Sequence, residues 1–410
     1  MHERREFSKI LVAQGTSVLG SQFALIATPL ATYELTHSAS AAGIVGVSNG
    51  LARTAAGLIS GPIADRLNPV RVMISCDLGR LAATLLLSWI ILTRATDNIA
   101  VLSGLVLIEG ALSTMFYPCE AVVIVRIVAK ERLPIRLARS ESLTWGAALV
   151  GPPIGGLLFS VDSALPFLGN AASYLISAIC IYALEMRRSE VLARVDTAES
   201  GIPGFAEMLA GLRIILRDRF LRPVILQVTL HNVALGALAI IVVVGAQQRG
   251  VSGTAIGVLV AAQAAGAILG SFGTMFVLGR VGGGKVILVT GWTWVALIPL
   301  IISVTNLIAL SILLALLWIL APIQRTVLGT YRGQRVPPSL LGRVTSASAL
   351  ITGSLAALGP GLGGELLSGD NLGVSIVCLI IITVAPMIVS TFISPVGHVT
   401  ISTNREQASR

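Results

Sequence analysis

The sequence predicts an all-α membrane protein, with twelve transmembrane helices in two pseudo-symmetric six-helix bundles. Three observations predict it. Of 410 residues, 54% are apolar and only 12% are charged, against roughly 25% charged in soluble domains. The charges collect between apolar runs long enough to cross about 30 Å of hydrocarbon as helix, which takes about 20 residues. One polar stretch, 187–222, interrupts the runs at mid-chain and leaves six on either side.

Each run is bounded by charge or by Pro and Gly. Span 1 (10–33) follows Arg4, Arg5 and Lys9. A basic start before an apolar run also fits a signal peptide, but this run is too long and no small-residue cleavage site follows, so a retained helix is expected. Span 2 (41–64) ends at Gly61-Pro62-Ile63-Ala64-Asp65-Arg66, and span 3 (72–92) opens after Arg71. Spans 4 (99–125), 5 (137–159) and 6 (166–183) complete the first bundle. Spans 7 to 12 follow at 224–246, 255–278, 286–304, 307–327, 344–367 and 372–392. Ser, Thr and Gly within them are compatible with membrane helices, where small residues let backbones approach. The organisation is therefore 1–186 for the first bundle, 187–222 for a linker, 223–394 for the second bundle and 395–410 for a tail. In the linker, Phe205, Met208, Leu209, Leu212 and Leu216 recur at helical spacing opposite Glu207, Arg213 and Arg217. That pattern suits an amphipathic helix at the membrane surface.

Basic residues set the orientation, because short cytoplasmic loops retain Lys and Arg. Of 29 Lys and Arg, 24 fall on one side and only Arg94 and Arg249 on the other, while Arg53, Arg80 and Arg325 lie inside spans. Both termini and the linker are expected in the cytoplasm, with the chain crossing a plasma or bacterial inner membrane. The net charge of +9 then reflects topology and gives no reason to expect nucleic acid. The four Cys are scattered inside spans and the four His are far apart, so neither a disulfide framework nor a metal site is indicated. Gly279 to Lys285 mimics a phosphate-binding loop, but Val286 replaces the magnesium-holding Ser or Thr and no strand precedes it. No nucleophile and base lie at a recognisable spacing, so an enzyme is not expected.

The halves repeat one plan. Gly151-Pro152-Pro153-Ile154-Gly155-Gly156 in span 5 recurs as Gly359-Pro360-Gly361-Leu362-Gly363-Gly364 in span 11, 208 positions on. Phe7, Ser38, Gly43 and Gly57 find partners in Phe220, Ser252, Gly257 and Gly270, 213 or 214 positions on.

The element Gly61 to Asp65-Arg66 with Arg71 resembles the signature loop of the major facilitator superfamily, although Asn68-Pro69-Val70 replaces its usual basic run. The segment Gly146, Gly151, Pro152, Gly155, Gly156 resembles that superfamily's antiporter motif; its proline frees a backbone group and its glycines admit a facing helix. Phe116-Tyr117-Pro118 and Pro166 to Tyr174 are similar to the bacterial branch of enterobactin exporters and macrolide efflux proteins. The resemblance implies two bundles rocking about a midplane site lined by spans 1, 4, 7 and 10.

Helical spacing supplies polar residues for that lining. Gln14, Ser17 and Ser21 share one face of span 1, and Glu109, Ser113, Tyr117 and Glu120 one face of span 4. Span 7 offers Gln227, His231 and Asn232, and span 10 offers Trp318 and Arg325. Ionisable groups inside spans are costly and need a partner or a task. Glu109 is the first candidate to carry a proton, with an ion pair to Arg53 as its structural alternative. Glu120 and Asp77 read as gate ion pairs with Arg126, Arg71 or Arg80, or as proton carriers, and His231 as a relay or a packing residue. Glu141 is expected to pair with Arg139.

The expected function is a proton-coupled exporter of small amphipathic molecules. Nutrient import, lipid movement, or a non-transporting sensor or scaffold remain alternatives. No cofactor is expected, and the expected partners are the substrate, protons and the bilayer, with the chain acting as a monomer.

Overall fold

The computed structural model describes residues 2–128, 132–192, 205–277, 282–369 and 372–398, in which every regular element is helical. Six helices come first: α1 (His2–Thr36), α2 (Ala39–Arg66), α3 (Pro69–Thr93), α4 (Ile99–Ile127), α5 (Leu133–Val161) and α6 (Leu165–Leu192). The linker supplies α7 (Phe205–Arg217). Then follow α8 (Leu221–Gln248), α9 (Gly253–Val277), α10 (Gly283–Ser303), α11 (Leu307–Arg335), α12 (Pro338–Ala356), α13 (Gly359–Ser368) and α14 (Leu372–Ile388). A π-turn over Val389–Ile393 closes the last span, with Ser394 N bonded to Val389 O. The phosphate-loop lookalike falls partly in 278–281, the middle of the linker in 193–204, and most of the tail in 399–410; these lie outside the described residues.

Among the described residues, eleven spans are long and apolar enough to cross a membrane, one of them formed jointly by α12 and α13. The twelfth span of the expected set is α2. It is 28 residues long, about 42 Å at 1.5 Å per residue, but Asn49, Arg53 and several Ser and Thr dilute its apolar character. The outward faces are apolar: Phe272, Ile308 and Phe392 are 67%, 73% and 77% exposed. Exposed apolar side chains on this scale suit contact with lipid rather than water.

Short polar residues start the helices where the apolar runs begin, because a side-chain oxygen satisfies the first unpaired N–H groups. Asn98 accepts from Ala100 N, Asn306 from Ile308 N and Ala309 N, and Asp218 from Phe220 N and Leu221 N.

The chain divides into two compact units, residues 1–202 with 243–261, and residues 203–242 with 262–410. The first holds one apolar cluster around Phe7, Val70, Met73, Phe116 and Ile124, and another around Leu87, Ile90, Leu102 and Phe167. A third joins Ile26 and Leu30 to Val243, Ala246 and Ile256, where Gln247 Nε2 also donates to Leu30 O at 3.2 Å. The second unit packs around Phe220, Val224, Ile287, Val327 and Val344. Its α7 docks on α12, where Gly211 abuts the backbone of Arg343.

The repeat read from sequence reappears as matching local contacts in each half of the chain. Phe7 and Phe220 are both buried in equivalent clusters. Ser38 and Ser252 each cap the helix that follows, accepting from Ala41 N and Ala255 N. A Cβ added to Gly155 of α5 would lie 2.8 Å from Phe23 Cα of α1, and one added to Gly363 of α13 would lie 2.8 Å from Ala237 Cα of α8. The two halves differ at the element itself. The α5 helix runs unbroken through Pro152 and Pro153, whereas its counterpart breaks after Ala356 and restarts at Gly359.

Backbone contact leaves no room for a side chain. Gly155→Val and Gly363→Val are each expected to destabilise by about 1 to 3 kcal/mol or more through overpacking. Gly146→Ala should be nearly neutral, since nothing lies within 4 Å of its added Cβ. Thermal midpoints of the purified variants in detergent check this.

Candidate functional site

In the first unit the polar chemistry gathers around one guanidinium. Helix α3 starts cleanly because Pro69 occupies its first turn and Asn68 Oδ1 accepts from Val70 N and Arg71 N. From that start, Asp77 and Arg80 fall one turn apart on the inward face, 0% and 1% exposed, and form an ion pair. Ser177 Oγ of α6 donates to the other Asp77 oxygen at 2.7 Å. The Arg80 guanidinium carbon lies 4.3 Å from the ring centre of Tyr174 on α6 and 4.7 Å from that of Phe116 on α4. Such cation–π contacts strengthen when water is excluded.

Tyr174 carries the network onward. Its hydroxyl donates to Glu109 Oε1 at 2.8 Å and accepts from Asn170 Nδ2 at 3.3 Å, with Ser21 Oγ of α1 also at 3.3 Å. Asn49 Nδ2 of α2 reaches the other Glu109 oxygen at 3.5 Å. Below them on α4, Glu120 is only 4% exposed, and its Oε1 has no hydrogen-bond partner among the described residues. The field of Arg80 reaches Asp77, Glu109 and Glu120. Asp77 thus pairs with the buried guanidinium directly and Glu109 is joined to it through Tyr174, while Glu120 Oε1 is buried without a hydrogen-bond partner among the described residues. An unpaired buried charge is strongly unfavourable, so occupancy of this cluster by charge must be balanced from elsewhere.

Glu109, Glu120, Asp77 and Ser21 belong to this cluster. Gln14 instead bonds Ser140 of α5, and Ser17 and Ser113 are buried. The expected ion pair of Glu109 with Arg53 does not form: Tyr174 and Asn49 hold the carboxylate, while Arg53 is exposed and packs its stem by Gly110. Tyr117 is 39% exposed, edge-on to Phe116. Glu141 accepts from Trp145 Nε1 at 3.0 Å rather than pairing with Arg139. In the α2–α3 loop, Gly61 is half-buried and Arg66 and Arg71 are exposed; the side chain of Asp65 lies outside what the structure describes.

The second unit holds a different arrangement. His231 of α8 is fully buried, edge-on to Trp294 of α10 with ring centres 5.1 Å apart. Neither of its ring nitrogens has a hydrogen-bond partner among the described residues, nor has Gln227 Oε1. Gln227 Nε2 donates to Ile287 O at 3.3 Å and Trp294 Nε1 to Leu317 O at 3.0 Å. Asn232 and Trp318 are half-buried and Arg325 is exposed. Pro360 of α13 packs on Gly236, Gly151 and Gly156 of α5 are buried at their helix contacts, and Gly364 of α13 is buried.

Sequence reasoning missed Tyr174, Ser177, Asn170 and Trp294. A signal existed, since Asn170, Ser173, Tyr174 and Ser177 make one polar stripe at helical spacing in span 6. Among the described residues, no group of three His, Cys, Asp or Glu could hold a metal ion.

Comparison with known proteins adds the wider context. A profile of the Major Facilitator Superfamily matches residues 10–246. An uncharacterized MFS-type transporter of Bacillus subtilis (strain 168), YfiS, is 23% identical over 212 residues, covering 51% of this chain and 48% of that protein. The chain thus spans about half the length of the curated relative it matches. Among solved structures, a mutant of the nucleoside transporter NupG superposes with a TM-score of 0.73 at 11% identity, covering 94% of this chain and 98% of that one. A bacterial homologue of the iron transporter ferroportin, in an inward-facing state, gives 0.66 at 15% identity, covering 94% and 97%. These likenesses carry the fold.

Proposed function

This chain belongs to the Major Facilitator Superfamily, and from that premise we propose that it exports small amphipathic molecules in exchange for protons, by alternating access. It is a multi-pass membrane transporter and not an enzyme. The reading places it in a plasma or bacterial inner membrane as a monomer, with both termini in the cytoplasm.

The observation that carries the proposal is the buried Asp77–Arg80 ion pair, linked through Tyr174 to Glu109, with Glu120 Oε1 buried and unpartnered among the described residues. Coupling requires that proton and substrate bind the inward-open and outward-open states unequally. A carboxyl group with an unpartnered buried oxygen, Glu120, is suited to take a proton in one state and release it in the other. Asp77, fixed by Arg80 and Ser177, serves as the constant counter-ion. Tyr174 touches both Glu109 and Arg80, so a change at either carboxylate is felt at the guanidinium. The carboxyl excess favours a cationic or neutral amphiphile over a strong anion. Export is favoured over import by the resemblance of Gly146 to Gly156 to the antiporter motif.

Uptake and efflux of lipophilic cations, macrolides and siderophores by proteoliposomes, with and without an imposed pH gradient, test the proposal. Movement of a lipophilic cation or macrolide that follows the gradient is the expected result. Transport indifferent to every gradient would leave a passive carrier and overturn the coupling.

A further inference from the structure

Away from the Arg80 guanidinium, a second concentration of positive charge sits at the start of α5. Arg132, Arg136 and Arg139 occupy one side of its first two turns and, with Ile135, line a cavity of about 280 Å³. The helix N-terminus already carries partial positive charge, about half an elementary charge. Acidic residues commonly offset it, yet the first turn of α5 has none and Arg132 provides no side-chain cap. Three cations have therefore been added to an end that repels them.

Arg136 makes the arrangement specific. It is 9% exposed, lines the cavity, and sits over the ring of Phe7 with 4.4 Å from guanidinium carbon to ring centre. The ring contact leaves its N–H groups without a hydrogen-bond acceptor, and no described residue forms an ion pair or hydrogen bond with it. The depth is also defined. In the sequence the apolar runs open near residue 10 in α1 and near residue 137 in α5, so the cavity lies at the membrane boundary, where headgroup phosphates are found. A planar guanidinium with free donors, flanked by two further arginines, matches tetrahedral oxyanions better than any other common ligand.

We infer that this cavity is a phosphate-binding site, which takes the phosphodiester of an anionic lipid headgroup or a soluble phosphoester of the same chemistry. Arg136 is its fixed donor, Arg132 and Arg139 are the flanking cations, and the N-terminus of α5 supplies the converging dipole.

The test uses the full-length protein in nanodiscs of phosphatidylcholine alone or with one-fifth phosphatidylglycerol, with inorganic phosphate and glycerol 3-phosphate as soluble probes. Retained lipid is read by native mass spectrometry, and stabilisation from the thermal midpoint. The parent is expected to retain phosphatidylglycerol preferentially, with retention falling about fivefold for each arginine replaced, as for basic groups near an anionic surface. Arg139→Gln and Arg132→Gln are both exposed and test the site even if Arg136→Gln fails to fold; Arg249→Gln, on another loop, should change nothing. Displacement of the lipid by millimolar inorganic phosphate or glycerol 3-phosphate would assign the site to soluble phosphoesters, and its absence to headgroups. Equal retention by parent, R132Q and R139Q in every arm would overturn the inference.

Discussion

Arg80→Met is expected to abolish transport and to cost about 3 to 5 kcal/mol of stability, the range for removing one partner of a buried ion pair. The size follows from what is left behind. Asp77 is 0% exposed, so without Arg80 its charge faces only Ser177 among its described hydrogen-bond donors, and Glu120 loses the nearest positive field. Phe116 and Tyr174 also lose the cation held between them. The double variant D77N/R80M removes both charges and should recover most of the stability while remaining inactive. Thermal unfolding in detergent and proteoliposome transport separate the two effects. An R80M protein that unfolds at the parental temperature would show that the pair is not holding α3 to α4 and α6.

Glu120→Gln should reduce proton-driven accumulation to the passive level while leaving the fold and substrate exchange intact. Glutamine keeps the shape of the side chain and cannot carry a proton. Its amide still has to find partners in the pocket around Glu120 Oε1, where none is recorded, so a cost of about 1 to 3 kcal/mol is expected. Glu109→Gln should behave differently. The amide oxygen still accepts from Tyr174, so a substantial part of the coupling is expected to survive. Proton release on substrate addition, followed with a pH dye in weakly buffered detergent solution, discriminates them. Release unchanged in E120Q and lost in E109Q would move the proton to Glu109.

Local spacing made part of this site legible. Asp77 and Arg80 lie three positions apart, and on any helix that spacing puts them on one face, so Arg80 was among the partners the sequence offered Asp77. The repeated Gly-Pro-x-x-Gly-Gly element likewise announced close helix contacts at Gly155 and Gly363, because only a missing Cβ permits them. The pairing of Glu109 was not legible. Arg53 of α2 was the structural partner offered for it, but periodicity says nothing about which neighbouring helix faces it; Tyr174, on a helix two spans further on, takes the carboxylate. Trp294 escaped for the same reason, since an isolated tryptophan in an apolar run reads as lipid-facing until α10 is seen to turn it onto His231. The break between α12 and α13 was also invisible, because the same motif leaves α5 continuous.

That break has a consequence for biogenesis. The segment Gly359–Ser368 is ten residues, about 15 Å of helix, which reaches only halfway through a bilayer. Together with α12 it forms the least apolar of the eleven spans, a poor substrate for insertion on its own. Its residence in the membrane depends on the groove that Gly236 and Ala237 present on α8. The newly made chain must therefore have its seventh crossing in place before the eleventh can settle, and damage to that groove would surface first as misinserted protein, ahead of any loss of turnover.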